Sequence, residues 1–244
     1  MKKKYFYLFS VLCVAVLMII AAASNEVIAV MGSKPAPFAP VLIIDAGHGG
    51  MDGGAVGVDK ALEKDINLSI AKKLSSMAKA YGFEVLMTRE EDVSIHDDGV
   101  TGIRNQKVSD IHNRLKLSQE NPGAIFISIH QNKFTQQRYW GTQVFYSRQN
   151  PESKAIAEII KDNVRESLQP ENSRETKPAQ KDLYILYNST NPAVMIECGF
   201  LSNPQECERL QDEKYQQGLA FVILSSIIEY CQVLQDEGIP VNGY

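Results

Sequence analysis

The chain has 244 residues, 25 Lys and Arg against 29 Asp and Glu, 44% hydrophobic side chains and 22% charged ones. Such a length fits one domain, and such a composition excludes wholesale disorder. The net charge of −4 excludes a nucleic-acid binder that works by bulk positive charge, and one prominent apolar run is too little for a polytopic membrane protein.

That run comes first. Lys2, Lys3 and Lys4 precede an apolar stretch over residues 5–23, and Ala21-Ala22-Ala23 stand before Ser24. A basic start, an apolar middle and small residues make a secretory signal. About 20 apolar residues also suffice to span a bilayer. Residues 1–23 are therefore read as a signal peptide or an N-terminal membrane anchor. Both readings export everything after Ser24, because the Lys cluster stays inside. Cys13 sits within the apolar run without small residues before it, which argues against a lipoprotein site. Without residues 1–23 the balance becomes 22 basic against 29 acidic side chains, or −7.

Residues 24–40 hold Pro35, Pro37 and Pro40 among small residues and read as a linker. The apolar run over 41–44 is a strand buried on both faces. A helix is expected over 65–81, with Ile66, Ile70, Leu74 and Met77 at helical spacing and Gly82 past its end. A strand over 83–88 and a polar, Gly-containing loop over 90–103 follow. A helix over 104–119 carries a Val108, Ile111, Leu115 stripe. Strands are expected over 124–130 and 142–146. Asn150-Pro151 starts a helix as N-cap and first-turn proline, with Ile156, Ile160 and Val164 on one face. After the polar residues 169–181, two more strands are expected over 183–187 and 193–197. A last helix over 214–234 turns Leu219, Ile223, Ile227 and Tyr230 inward. Strands alternating with helices predict an α/β fold: one domain over 41–232, with a mainly parallel mixed sheet of about six strands and helices on both faces. Residues 233–244 are a C-terminal tail.

Three strands end in residues that can do chemistry: Asp45-Ala46-Gly47-His48, Ser128-Ile129-His130-Gln131-Asn132 and Glu197-Cys198-Gly199-Phe200. Ligands of open α/β sheets bind beyond the carboxyl ends of the strands, so His48, His130 and Glu197 are expected on one rim. Two imidazoles and a carboxylate suit a catalytic zinc site with one position open to water. Glu63 is either a third ligand or a first-turn acid that complements the helix dipole; spacing alone favours the second. The glycines after the first strand mimic a phosphate loop, but no helix opens there and Asp52 would repel phosphate. Cys198 should alternate to the face opposite Glu197, so a Cys198–His130 hydrolase is disfavoured. Cys198, Cys207 and Cys231 are one pair plus a free thiol, or three buried thiols. His96 and His112 are expected in solvent, with His96 able to reach over the site if its loop folds that way.

In order along the chain stand Ile44-Asp45-Ala46-Gly47-His48-Gly49-Gly50, Leu62-Glu63-Lys64, Thr88-Arg89, Ser128-Ile129-His130-Gln131-Asn132 and Glu197-Cys198-Gly199-Phe200-Leu201-Ser202-Asn203. Together they resemble the zinc-dependent N-acetylmuramoyl-L-alanine amidases of the type-3 amidase family. The resemblance implies one Zn²⁺ per chain held by His48, Glu63 and His130, and a catalytic acid/base at Glu197. It implies peptidoglycan as partner, no nucleic acid, membrane contact only through the N-terminal segment, and leaves an accessory protein open. The Asp98-Gly99-Val100-Thr101-Gly102 segment with Arg104 and Lys107 resembles the spore-cortex branch, whose members act towards muramic-δ-lactam. The place of action is then extracytoplasmic, at the cell wall or spore cortex. A vegetative wall amidase and a silent wall-binding protein of the same fold are the alternatives. Among further residues, Asp45 is a candidate partner for a ligand imidazole, or a strand-end cap. Asn132 either positions substrate or caps a turn, the turn being favoured; Tyr139 and Trp140 either stack on sugar or are simply exposed, and Arg89 is expected to form a structural ion pair.

Overall fold

The computed structural model describes residues 40–238. The N-terminal segment 1–23, all of the linker but Pro40, and the end of the C-terminal tail lie outside those residues.

The elements run in the order β1 (Leu42–Ala46), α1 (Glu63–Tyr81), β2 (Val85–Met87), α2 (Ile103–Gln119), β3 (Ile125–Asn132), β4 (Gln143–Tyr146), α3 (Glu152–Ser167), β5 (Lys177–Pro178), α4 (Tyr184–Asn188), β6 (Ala193–Phe200), α5 (Pro204–Gln211) and α6 (Glu213–Asp236). They build one six-stranded sheet in the order β2-β1-β3-β6-β4-β5. The first four strands in that order are parallel, β4 is antiparallel to β6, and β5 follows β4 in parallel. The mixed sheet with helices on both faces is the architecture expected from the sequence.

Alternation along the central strands sorts side chains to two faces. Leu42, Ile44, Ile127, Ile129, Val194 and Ile196 point into the larger core, covered by α1, α3 and α6. Ile43, Phe126, Ala193 and Met195 meet Leu115 of α2 and Ile185 and Leu186 of α4 on the other side. Leu219, Ile223, Ile227 and Tyr230 of α6 are buried as predicted. This helix is long and apolar enough to cross a membrane by composition, and here it packs against α1 and α3 as core.

Local signals explain the ends of the helices. Gly82 takes φ 108° after α1, and its N–H reaches the carbonyls of Ala78 and Lys79. The Asn150 side chain accepts from the Glu152 N–H at 2.9 Å, with Pro151 already helical, as the cap-then-proline reading predicted. Three expectations need correction. The run 183–187 is not a strand but contains the short helix α4, in which only Ile185 and Leu186 are buried. Five apolar residues cannot separate helix from strand by periodicity, and the sheet has already been closed at that edge by β5. That edge strand comes from the polar stretch 169–181 and ends on Pro178, a residue tolerated only where no ladder N–H is needed. On α2 only Leu115 of the Val108, Ile111, Leu115 stripe faces inward. Val108 is 48% and Ile111 37% exposed, whereas Asp110, Arg114, Leu115 and Ser118 are buried. Helix α5, capped by Asn203, went unrecognised in the sequence.

Candidate active site

His48, Glu63 and His130 arrive from three elements. His48 follows β1 and holds φ 63°, an unusual state for a side chain other than glycine. Glu63 opens α1, and His130 lies near the end of β3. One ligand atom from each lies within 4.8 Å of the others. His130 Nδ1 is 2.9 Å and His48 Nε2 3.2 Å from the same oxygen, Glu63 Oε1. Donors around a tetrahedral ion with bonds of about 2.0 Å stand about 3.3 Å apart, so the three are close to ligand spacing. Glu63 is thus both the first-turn acid and a member of the cluster.

Glycines permit this convergence. A Cβ on Gly47 would lie 2.2 Å from His130 Nε2, and one on Gly54 2.6 Å from Glu63 Oε2. Glu63 is fixed further by the N–H groups of Ala55, at 2.7 Å, and Gln131, at 3.0 Å. Burial opposes its charge, but the two imidazoles outweigh burial and hold the carboxyl far below its usual range. Burial likewise opposes a charge on His48, yet Asp52 and Glu63 lift that imidazole to about 9.

Glu197 is the register partner of His130 on the neighbouring strand. Its side chain is half-buried, and its Oε2, an atom shut off from solvent, has no hydrogen-bond partner among the described residues. Burial pushes its carboxyl up to about 7, in the range useful for moving protons at neutral pH. His48, Glu63, His130 and Glu197 share a cavity of about 430 Å³, walled by Lys107, Lys133, Tyr184, Ile185 and Met195.

The supporting shell differs from the sequence reading. Asp45 does not bond an imidazole. It accepts from Arg114, Ser128 and Thr88, because its strand position turns it toward α2. The partner of His48 Nδ1 is Asp52 at 2.9 Å, itself paired with Lys107 at 2.7 Å. Among the described residues Arg89 forms no ion pair; its guanidinium holds the carbonyls of Ala46, Gly47, Lys64 and Glu91. Arg114 grips the Ala46 carbonyl and the His48 carbonyl, the latter at 2.7 Å. Two arginines therefore clamp the backbone that carries His48, and Arg114 is balanced by Asp45 and Asp110. The missed group Lys107, Asp110, Arg114 had a signal: spacings of three and four place all three on one helix face.

Other candidates separate cleanly. No helix opens in the glycine loop, where Gly49 and Asp52 form an antiparallel bridge. Cys198 lies fully buried on the core face, its thiol pushed by burial to about 12. Cys198, Cys207 and Cys231 are three buried free thiols. His96 is half-buried against Ser94 and Gln106 rather than solvated, and His112 packs on Tyr184. Asn132 lines the cavity while its carbonyl accepts from Leu201 N–H. Tyr139 and Trp140 stand outside the cavity.

Known proteins share this arrangement of the chain. The amidase CwlD of Clostridioides difficile, solved in complex with the GerS lipoprotein, is 40% identical, covers 80% of this chain and 99% of its own, and superposes with a TM-score of 0.76. The germination-specific N-acetylmuramoyl-L-alanine amidase of Bacillus subtilis is 37% identical over 190 residues, which are 78% of this chain and 79% of that protein. The catalytic domain of the amidase CwlV from Paenibacillus polymyxa is 31% identical, over 80% of this chain and 99% of its own, with a TM-score of 0.65. With residues 42–229 matching the family model as well, the chain belongs to the N-acetylmuramoyl-L-alanine amidases.

Proposed function

We propose that this chain is a zinc-dependent peptidoglycan hydrolase. It cleaves the amide between the lactyl group of N-acetylmuramic acid and the L-alanine of the stem peptide. The observation that carries the reading is the convergence of His48, Glu63 and His130 beside the half-buried, register-paired Glu197. Two imidazoles and one carboxylate are a donor set suited to zinc with an open position. A zinc ion held by these three residues would supply Lewis acidity toward the carbonyl and acidify the water that attacks it. Glu197 accepts the proton of the attacking water and passes it to the departing alanine nitrogen. Its unpartnered oxygen leaves room for that exchange, and its raised pKa lets the proton stay between the two steps. Asp52 fixes the orientation of the His48 ring.

The likeness to the germination-specific relative supports spore-cortex peptidoglycan as substrate, on the path to muramic-δ-lactam, with action outside the cytoplasmic membrane. The N-terminal segment 1–23 would carry residues 41–232 there as signal or anchor. An accessory lipoprotein is a candidate partner, by likeness to the relative solved with one. Mass spectrometry of digested cortex and vegetative wall tests the assignment. An amidase releases intact stem peptides and peptide-free glycan. Shortened peptides still attached to glycan would mean a carboxypeptidase, and no product at all a silent wall-binding protein.

A further inference from the structure

A second groove lies on the same rim as the cavity. Arg138, Tyr139, Trp140, Asn172, Ser173 and Arg174 line about 320 Å³ of it. The loop after β3 joins the two sites: Lys133 at its start lines the cavity, and Arg138 to Trp140 at its end line the groove. Phe200, under the groove, stands three residues beyond Glu197 on β6, about 10 Å along the strand.

The groove is built rather than incidental. Arg174 Nε donates to the Trp140 carbonyl at 2.7 Å, and its guanidinium lies over the Phe200 ring at 4.5 Å. Tyr139 is committed to packing on Phe134 and Phe200. Gly141, at φ 91°, lets Asn172 approach to where a Cβ would stand 2.8 Å from its Oδ1, and Asn172 in turn donates to the Thr142 carbonyl. On this fixed floor Trp140, the one tryptophan in the chain, stays 37% exposed. Among the described residues neither Arg138 nor Arg174 has an ion-pair partner. The Glu206 carboxylate close by is taken by the N–H groups of Gly141 and Phe200.

An exposed indole face offers apolar area to the C–H face of a sugar ring, and unpaired guanidiniums offer planar forks to carboxylates. We propose that this groove is a second subsite. It would hold the glycan strand beside the scissile muramic acid, with Trp140 on a sugar ring and Arg138 and Arg174 on carboxylates of a neighbouring stem peptide. The proposal rests on the amidase reading for its polymer, but it can fail separately.

Two measurements test it. Peptide-free glycan strands of alternating N-acetylglucosamine and N-acetylmuramic acid are titrated into the full chain while tryptophan emission is followed, Trp140 being its only source. A saturable change is expected; an emission that stays flat at millimolar sugar would overturn the subsite. In the second measurement Trp140→Ala and Trp140→Tyr are assayed on polymeric peptidoglycan and on a single muramyl-peptide. The ratio of kcat/KM for polymer to that for the short substrate should fall about tenfold in Trp140→Ala and recover in Trp140→Tyr. An unchanged ratio in a folded Trp140→Ala refutes the proposal. If wild-type chain releases peptide from neither substrate, the amidase reading fails, while the emission titration still decides the subsite.

Discussion

Gly47→Ala isolates the geometry of the metal cluster. The φ of Gly47 is not positive, so alanine meets no backbone strain there. The new methyl group would instead stand 2.2 Å from His130 Nε2 and 2.3 Å from Cε1. Ordinary contact begins near 3.4 Å, so the imidazole has to yield by about 1.2 Å. Its Nδ1 is only 2.9 Å from Glu63 Oε1, and metal–ligand distances tolerate about 0.2 Å. Overpacking at a rim position costs about 1–3 kcal/mol of stability, little enough for a folded protein. Zinc affinity should fall at least 10–100-fold, the loss that follows when the support of a ligand is disturbed. Zinc titration by calorimetry, with circular dichroism to confirm folding, reads both quantities. Wild-type zinc affinity in folded Gly47→Ala would refute the reasoning, because His130 would then not be a ligand held in the position described.

Three further outcomes are expected. Glu197→Gln should keep zinc at the wild-type level and lose 10²–10⁴ in turnover, whereas His48→Ala should lose both zinc and activity; metal analysis beside peptide release distinguishes them. The Glu197 carboxyl is raised to about 7 in the fold, so the native state takes up its proton more readily than the unfolded chain does, and stability falls as pH rises toward 7. Metal-free Glu197→Gln should therefore melt higher than metal-free wild type at pH 8 and about equally at pH 4; the opposite trend would show that burial does not set this pKa. Arg114→Ala strands the carboxylates of Asp45 and Asp110 in the interior and should cost about 3–5 kcal/mol in urea unfolding, while a loss below 1 kcal/mol would show that the clamp on the His48 carbonyl is dispensable.

Much was legible in the sequence because it depends on local pattern. Short apolar runs gave β1, β3 and β6, helical spacing gave α1, α3 and α6, and Gly82 and Asn150-Pro151 gave their ends. Chemistry at the ends of strands pointed to His48, His130 and Glu197, since a parallel sheet must put those ends on one rim. What the sequence could not decide was every property set by a residue's neighbours across the fold. Glu63 read as an ordinary first-turn acid until the loop 47–62 folded back and set its carboxylate against two imidazoles. Asp45 and Asp52 were both nearby acids in sequence; strand alternation sent one to Arg114, and the turn through Gly49 and Gly50 sent the other to His48. Helix α2 was misjudged at Val108 and Ile111 because its inner face is partly polar: Lys107, Asp110 and Arg114 serve the metal loop, and of the apolar stripe only Leu115 reaches the core. The pKa of Glu197 is likewise a tertiary property, for strands and helices distant in sequence take the water away from its carboxyl and bring the Glu63 carboxylate near it.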